Sequence, residues 1–155
     1  MEPEIRKQES FLVLGLVTRI ARGSESPELF GKIWRGFEAY HQRIKPISTE
    51  PRYYGVSFPT AGPDAIDYLA GMATGENAAI PEGLEVRTIP AADYAVFSCP
   101  VHDIGAAYSH IFGQWLPTSP FALNRELPSF EQYPPAGEEQ GQVSIHIPVI
   151  RKSPT

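Results

Sequence analysis

The stretch SPELFGKIWRGFEAYHQRI, residues 26–44, gives the strongest secondary-structure signal in the chain and predicts an amphipathic helix. Ser26 can cap this helix, and Pro27 suits its first position, where the missing N–H removes no intrahelical hydrogen bond. The apolar residues recur every three or four positions and form a single stripe: Leu29, Phe30, Ile33, Trp34, Phe37, Tyr40 and Ile44. Pro46 ends the pattern. The fold class then depends on what flanks this helix.

Short runs of β-branched, aliphatic and aromatic residues flank the helix and predict strands. The run FLVLGLVTRI (11–20) precedes it, and the runs RYYGVSF (52–58) and AIDYLAGMAT (65–74) follow it. The turn-rich segment PTAGPD separates the last two runs, as expected for two strands joined by a connection. The first half of the chain therefore predicts the order strand–helix–strand–strand.

The second half predicts the same order. The segment LEVRTIPAADYAVFSC (84–99) is typical of a long strand that is bent or bulged near Pro90. Asp103 can cap a second helix, which Pro117 closes. The apolar stripe of this helix comprises Ile104, Ala107, Tyr108, Ile111, Phe112 and Trp115.

Two further strands complete the second half. The first is SFEQY (129–133), and the second is QVSIHIPVI (142–150). Side chains alternate along the second strand, with Val143, Ile145, Ile147 and Val149 on one face and Ser144, His146 and Pro148 on the other.

The repeated order predicts an α+β fold that arose by duplication. We expect one domain, residues 1–155, with units at about 11–77 and 83–150 and two helices on one face of an antiparallel sheet. A pseudo-twofold axis would run between the halves and leave a central cleft, where ligand sites often lie. Aligning PRYYGV with PSFEQY, and DAIDYLAG with QVSIHIPV, matches Glu131 with Tyr54 and His146 with Tyr68.

Charge and cysteine content argue against several classes of function. The net charge of −5 and the scattered basic residues disfavour direct nucleic-acid binding, and EIRK and IRKSPT are only short terminal tails. Cys99 is the only cysteine, and the N-terminus lacks the apolar run of a signal peptide, so we expect a cytoplasmic protein. Apolar runs such as FLVLGLV are too short to span a membrane.

The chain shows no cofactor or metal motif. Neither a P-loop nor a GxGxxG pattern is present. The segment CPVHD brings Cys99, His102 and Asp103 close together, but a Cys–His pair in one loop provides too few ligands for zinc. Catalytic partners of a cysteine are usually remote in sequence. We therefore expect no cofactor, no metal and no chemical role for Cys99.

Several segments, taken in order, resemble the GyrI-like or AraC-type effector-binding domains: YYGVSF, DYLAGM, PEGLEVRTIPAADYAVFSC, IFGQWLPTSPF, SFEQY and IHIPVI. The resemblance covers about residues 11–150 and implies two strand–helix–strand–strand units around a central cleft. Members of this family bind small molecules, often lipophilic, aromatic and cationic, with a buried glutamate as the anionic anchor. The glutamate of the family's FExY signature falls on Glu131, and the tryptophan of its WLP motif falls on Trp115.

The resemblance implies more than one function. Some members are the sensor halves of multidrug-responsive transcription regulators, some stand alone and hydrolyse cyclopropane-bearing DNA-alkylating compounds, and some inhibit a larger enzyme. Members that regulate transcription carry a helix-turn-helix segment before this domain, whereas ten residues precede the first predicted strand here. We therefore expect a stand-alone member, for which a regulatory role would require a separate DNA-binding partner.

Glu131 is the principal candidate site residue. Desolvation in a cleft would raise its pKa, and a carboxylate without an internal cation is suited to a cationic ligand. The other candidate ligand-binding residues are Trp34, Tyr54, Tyr68, Tyr108, Trp115, Tyr133 and His146. Three alternatives stand beside this interpretation. Glu131 can be solvated or paired with Arg52 or Arg87, Trp34 can belong to the core through its helical stripe, and His146 can be solvated or hydrogen-bonded elsewhere.

The leading hypothesis is a binding protein, a sensor or sequestering protein for lipophilic, cationic aromatic molecules anchored by Glu131. The alternative is a hydrolase of strained or electrophilic small molecules, with Glu131 as general base and Trp115 or a tyrosine orienting the substrate. A third hypothesis is a role in protein interaction, with a partner that is not identified.

Overall fold

The computed structural model describes residues 2–135 and 141–153. Its helices are α1 (Pro27–Glu38), α2 (His41–Ile44), α3 (Ile104–His110) and α4 (Leu116–Thr118), with 3₁₀ turns at Lys45–Ile47 and Val101–Asp103 and a π-helical turn at Ile111–Trp115. Its strands are β1 (Glu4–Gln8), β2 (Phe11–Ala21), β3 (Ser48–Pro59), β4 (Ala65–Thr74), β5 (Glu85–Ile89), β6 (Ala92–Pro100), β7 (Phe121–Leu123), β8 (Ser129–Tyr133) and β9 (Gln142–Arg151). No helix in the described ranges is long and apolar enough to cross a membrane.

The described strands form an antiparallel sheet in the order β1-β6-β9-β8-β3-β4-β2-β5, and β7 pairs with β9. This order is symmetric about the β8–β3 pair, because β3, β4 and β2 on one side correspond to β8, β9 and β6 on the other. The α+β fold with duplicated units is thus confirmed.

Each half of the sheet is completed by an edge strand that precedes the other half in the chain. β1 pairs with β6, and β5 pairs with β2. The prediction that EIRK is only a terminal tail is therefore wrong. Its charged, exposed residues are typical of an edge strand, which has one partner and faces water. The predicted long strand 84–99 divides at Pro90 and Ala91 into β5 and β6.

The sheet curls so that the face away from the helices packs against itself. Phe11 on β2 and Tyr94 on β6 belong to opposite ends of the six central strands, yet both contact Phe130 on β8. Their ring centroids lie 5.6 Å and 5.3 Å from that of Phe130. A core of buried apolar residues, including Val13 and Val56, fills this face.

Both long helical segments pack on the opposite face of the sheet. α1 begins as predicted, because the Ser26 hydroxyl accepts a hydrogen bond of 3.1 Å from the Leu29 N–H. Ile33 and Phe37 on α1 are buried against the first half, while Ala107 and Ile111 are buried against the second. The second helical segment continues without interruption from Ile104 through the π-helical turn to Thr118. Between the two segments lies the central cleft.

Candidate functional site

Glu131 lies on β8, in the middle of the sheet, on the face that carries the helices. It pairs with Gly55 on β3 and with Ile145 on β9. A Cβ at position 55 would lie 2.2 Å from the Tyr68 hydroxyl oxygen and 3.3 Å from Glu131 Oε1. Gly55 therefore provides the space into which the Tyr68 and Glu131 side chains extend.

Two tyrosines donate hydrogen bonds to the Glu131 carboxylate. The Tyr108 hydroxyl, from α3, donates a short hydrogen bond to Oε2, and the Tyr133 hydroxyl donates to Oε1 at 2.8 Å. Burial raises the pKa of Glu131, and these two hydrogen bonds oppose the rise because they favour the charged form. Glu131 nevertheless keeps some accessible surface, since the cleft reaches it.

The carboxylate has no cationic partner among residues 2–135 and 141–153. Arg87, one of the two arginines considered as a partner, instead binds Asp67 with an N–O distance of 3.1 Å. Arg52, the other, is exposed on β3. The structural ion pair proposed as an alternative for Glu131 is therefore wrong for the described residues.

Aromatic side chains from α1, α3 and the sheet surround the carboxylate. The Trp34 Nε1–H donates to the Tyr68 hydroxyl at 3.1 Å, and the Trp34 ring meets that of Tyr133 edge-on, with centroids 5.7 Å apart. Burial, together with the negative charge of Glu131, raises the pKa of Tyr68 and of Tyr133. These tyrosines are neutral at pH 7 and act as hydrogen-bonding groups.

Two phenylalanines extend the aromatic walls beyond the residues proposed from sequence. The rings of Phe30 and Tyr68 lie 4.9 Å apart, and Phe112 stacks parallel to Tyr108 with centroids 6.3 Å apart. Both phenylalanines belong to the predicted helical stripes. Trp34 and Tyr108 of the same stripes were proposed as ligand-binding residues, whereas Phe30 and Phe112 were not.

The groups described above line a cavity of about 1300 Å³ between the two helical segments. Glu131 lies at its floor, and four exposed charged residues lie among its lining: Arg22, Glu25, Arg125 and Lys152. This volume exceeds the roughly 300–1,000 Å³ of ordinary small-molecule sites. The cavity can thus accommodate a bulky organic molecule.

The structure brings Trp34, Tyr68, Tyr108, Tyr133 and Glu131 together at this cavity. The alternative for Trp34 was a place in the core, but its side chain lines the cleft.

Tyr54 is not at the cavity. It pairs with Gln132, whereas Glu131 pairs with Gly55, so the proposed match of Glu131 with Tyr54 joins residues on opposite faces of the sheet. A slip of one residue moves a side chain to the other face of a sheet. The Tyr54 hydroxyl there donates a short hydrogen bond to Glu50 and accepts one of 2.9 Å from Gln132 Nε2.

His146 also lies on the face opposite to the cavity, so its proposed match with Tyr68 is wrong. Its ring stacks on Phe130 with centroids 4.2 Å apart, and its Nε2 shares a hydrogen bond of 2.9 Å with Ser144. Burial, with a smaller effect from Arg6, lowers the pKa of His146 to about 4. The ring is therefore neutral at pH 7 and belongs to the interior of the curled sheet.

Trp115 lies in the core of the second half rather than in the cleft. Its ring meets that of Phe97 edge-on at 5.2 Å and lies at 6.2 Å from that of Phe121. Trp115 follows Ala107 and Ile111 at four-residue intervals on the buried face of the helical segment, which explains this placement. Cys99 lies in the same core, and burial raises the pKa of its thiol, which disfavours a reactive thiolate.

A family model described as integron-associated effector binding protein (Cass2) matches residues 4–149. A search of curated protein sequences finds no match.

Three solved structures share the fold. SAV2435 bound to tetraphenylphosphonium superimposes with a TM-score of 0.81 at 16% identity, over 97% of this chain and 94% of that chain. The integron cassette protein VCH_CASS2, from the mobile metagenome of Vibrio cholerae, gives a TM-score of 0.71 at 18% identity, over 96% of each chain. A hydrolase encoded by lin2189 from Listeria innocua gives 0.55 at 11% identity, over 96% of this chain and 92% of that chain.

Proposed function

This chain belongs to the family of integron-associated effector-binding proteins, and we propose that it binds lipophilic, cationic aromatic molecules through the ionised carboxylate of Glu131. The family match confirms the resemblance to effector-binding domains that the sequence predicts. The observation that supports the proposal best is the carboxylate itself, which lies at the floor of a large aromatic cavity without a cationic partner in the described residues.

Charge complementarity favours a monocation. A carboxylate in a site of low dielectric is costly to keep ionised, and a ligand cation removes part of that cost by interacting with it directly. The hydroxyls of Tyr108 and Tyr133 orient the two carboxylate oxygens. In the bound state the ligand charge would lie near Oε1 and Oε2.

The aromatic walls favour a ligand with several rings. A cation over the face of Trp, Tyr or Phe gains roughly 0.5–2 kcal/mol per well-placed ring, and Trp34, Tyr68, Tyr108 and Phe112 line the cavity. SAV2435, whose fold this chain shares, is bound to tetraphenylphosphonium, a bulky aromatic monocation. The role that fits is that of a ligand sensor or a sequestering protein.

The hydrolase alternative has less support from the geometry. Both oxygens of Glu131 already accept a tyrosine hydroxyl, which favours a fixed anionic anchor over a general base that must take a proton from water. The proposed function is therefore binding without turnover.

The test is a titration with tetraphenylphosphonium, followed through tryptophan fluorescence, for the wild type and the Glu131→Gln variant. We expect saturable binding by the wild type and at least a tenfold weaker affinity for the variant, about 1.4 kcal/mol. Glu25→Gln, which removes a carboxylate from the rim of the same cavity, is the matched control and should change the affinity much less.

Mass spectrometry of the same mixtures separates binding from hydrolysis, provided that the panel includes a ligand with a hydrolysable strained ring. Intact ligand in all mixtures is expected. Equal affinity of the wild type and a folded Glu131→Gln variant would contradict the anchor role. Loss of ligand that depends on Glu131 would favour the hydrolase instead.

A further inference from the structure

A second cavity lies beyond the wall that Trp34 and Tyr133 form at one end of the Glu131 site. Its volume is about 470 Å³, and both of these residues line it as well as the larger cavity. This volume falls within the range of ordinary small-molecule sites. We call it the Tyr53 compartment, because Tyr53 on β3, together with Phe37 and His41, forms its inner wall.

The walls of the Tyr53 compartment are mainly aromatic. The ring centroid of Phe37 lies 5.5 Å from that of His41 and 6.0 Å from that of Tyr53, and those of His41 and Tyr53 lie 5.3 Å apart. The Tyr53 hydroxyl and His41 Nε2 share a hydrogen bond of 2.8 Å. This bond holds both rings in place, so the wall is formed before any ligand enters.

One carboxylate, that of Glu38 at the end of α1, gives the compartment its charge. No Lys or Arg lines it within the described residues. Glu38 and Tyr53 line the same compartment, and burial together with the negative charge of Glu38 raises the pKa of Tyr53. An aromatic pocket with one exposed carboxylate at its edge, and with no Lys or Arg in its described lining, complements a flat ring that carries a single positive charge.

We propose that the Tyr53 compartment is a second binding site, for a small planar aromatic cation such as an aryl amidinium or aryl ammonium ion. The compartment has roughly a third of the volume of the Glu131 cavity, so we expect the two sites to select ligands of different size. The proposal does not depend on the Glu131 site binding a cation.

The two sites share Tyr133. Its ring lines the Tyr53 compartment, while its hydroxyl donates to Glu131. A ligand in the compartment would therefore contact the side chain that helps to hold the anchor of the larger cavity. If the two sites are separate, two different ligands can bind to the protein at the same time, and this can be tested directly.

The experiment is isothermal titration calorimetry with benzamidine, with and without saturating tetraphenylphosphonium. We expect benzamidine to bind with one-to-one stoichiometry in both cases, with affinities that differ by less than about tenfold. Displacement of benzamidine by tetraphenylphosphonium would overturn the proposal, because it would place both ligands in one site. Absence of binding at millimolar benzamidine would also overturn it.

Two variants locate the benzamidine site. Glu38→Gln should weaken benzamidine binding at least fivefold, and Val101→Trp should block it by filling the compartment. Affinity for tetraphenylphosphonium serves as the check on folding and should be unchanged in Glu38→Gln. Glu131→Gln is the reciprocal control, which should affect tetraphenylphosphonium far more than benzamidine. Unchanged benzamidine affinity in Glu38→Gln and Val101→Trp would contradict the proposal, whatever the result for tetraphenylphosphonium.

Discussion

Glu131 combines two opposing influences on one carboxylate. Burial favours the neutral acid, while the hydroxyls of Tyr108 and Tyr133 favour the anion. The net result is a raised pKa, so the charged form of Glu131 costs free energy in the folded protein, and a cationic ligand can offset part of that cost.

This balance predicts how the stability of the Glu131→Gln variant depends on pH. Because the pKa of Glu131 in the folded state is raised above its ordinary value of 4.5, the wild type loses stability as the pH rises from about 4.5 through the raised pKa. Glu131→Gln lacks this loss. Its free energy of unfolding relative to that of the wild type should therefore increase between pH 4 and pH 7.5, as measured by urea unfolding at both values. A difference that stays constant, or that decreases with pH, would mean that the pKa is not raised.

Single residues also show where sequence reasoning succeeded and where it failed. Glu131 could be proposed because the SFEQY segment resembles a known signature, and the structure places it at the cavity floor. Tyr54 and His146 were assigned to the cavity through an alignment of the two halves that matches residues on opposite faces of the sheet. Weak identity between the halves cannot determine register to a single residue, and register decides which face a side chain occupies.

At the level of elements, the apolar stripe of the second helical segment contributes to both the core and the cavity. Ala107, Ile111 and Trp115 pack in the core, while Tyr108 and Phe112 face the cavity. The periodicity of the sequence predicts the stripe. It does not predict which edge of the stripe lies over the cleft, since that depends on how the helix is rotated on the sheet.

Because Trp115 packs in the core and Phe112 faces the cavity, we expect their substitution to have opposite effects on stability and on ligand affinity. Trp115→Phe should lower the free energy of unfolding by roughly 1–3 kcal/mol because it leaves a gap in the core, with little change in affinity for tetraphenylphosphonium. Phe112→Ala removes a side chain that is 44% exposed, so it should cost little stability. It should weaken binding about threefold or more, through the loss of roughly 0.5–2 kcal/mol of ring contact. Urea unfolding measures the stability of both variants, and fluorescence titration measures their affinity for tetraphenylphosphonium. A large loss of affinity in Trp115→Phe, with little loss in Phe112→Ala, would place Trp115 in the site.

For the whole molecule, the two halves are joined by their exchanged edge strands. β1 precedes the first half but pairs with β6 of the second, and β5 precedes the second half but pairs with β2 of the first. The order of elements in the six central strands could be predicted from periodicity and from turn residues. β1 could not, because it is charged and mostly exposed and so shows no apolar pattern. β5 was predicted as the first part of the strand 84–99, but its pairing with β2 was not.

Removal of residues 2–9 should therefore destabilise the second half of the sheet. The deletion leaves one edge of β6 without a pairing strand. Residues of β6 that pair with β1, such as Tyr94 and Val96, have buried side chains in the core. We expect a lower thermal midpoint and self-association through the open edge, as measured by calorimetry and light scattering. Arg6→Ala, which breaks the exposed ion pair with Glu4 but leaves the backbone pairing of β1 with β6 in place, is the control and should have a small effect. A deletion variant as stable and monodisperse as the wild type would show that β1 is dispensable.

The most direct test of the central claim is the affinity for tetraphenylphosphonium as a function of pH, since this cation keeps a fixed charge. If the ionised Glu131 is the anchor, the affinity of the wild type falls toward about tenfold per pH unit below the pKa of Glu131 in the free protein. The midpoint of this fall in affinity should lie above pH 4.5. The affinity of the Glu131→Gln variant should be low and should not change with pH over the same range. Parallel profiles for the wild type and the variant would contradict the account, because the charge that binds the ligand would then lie elsewhere.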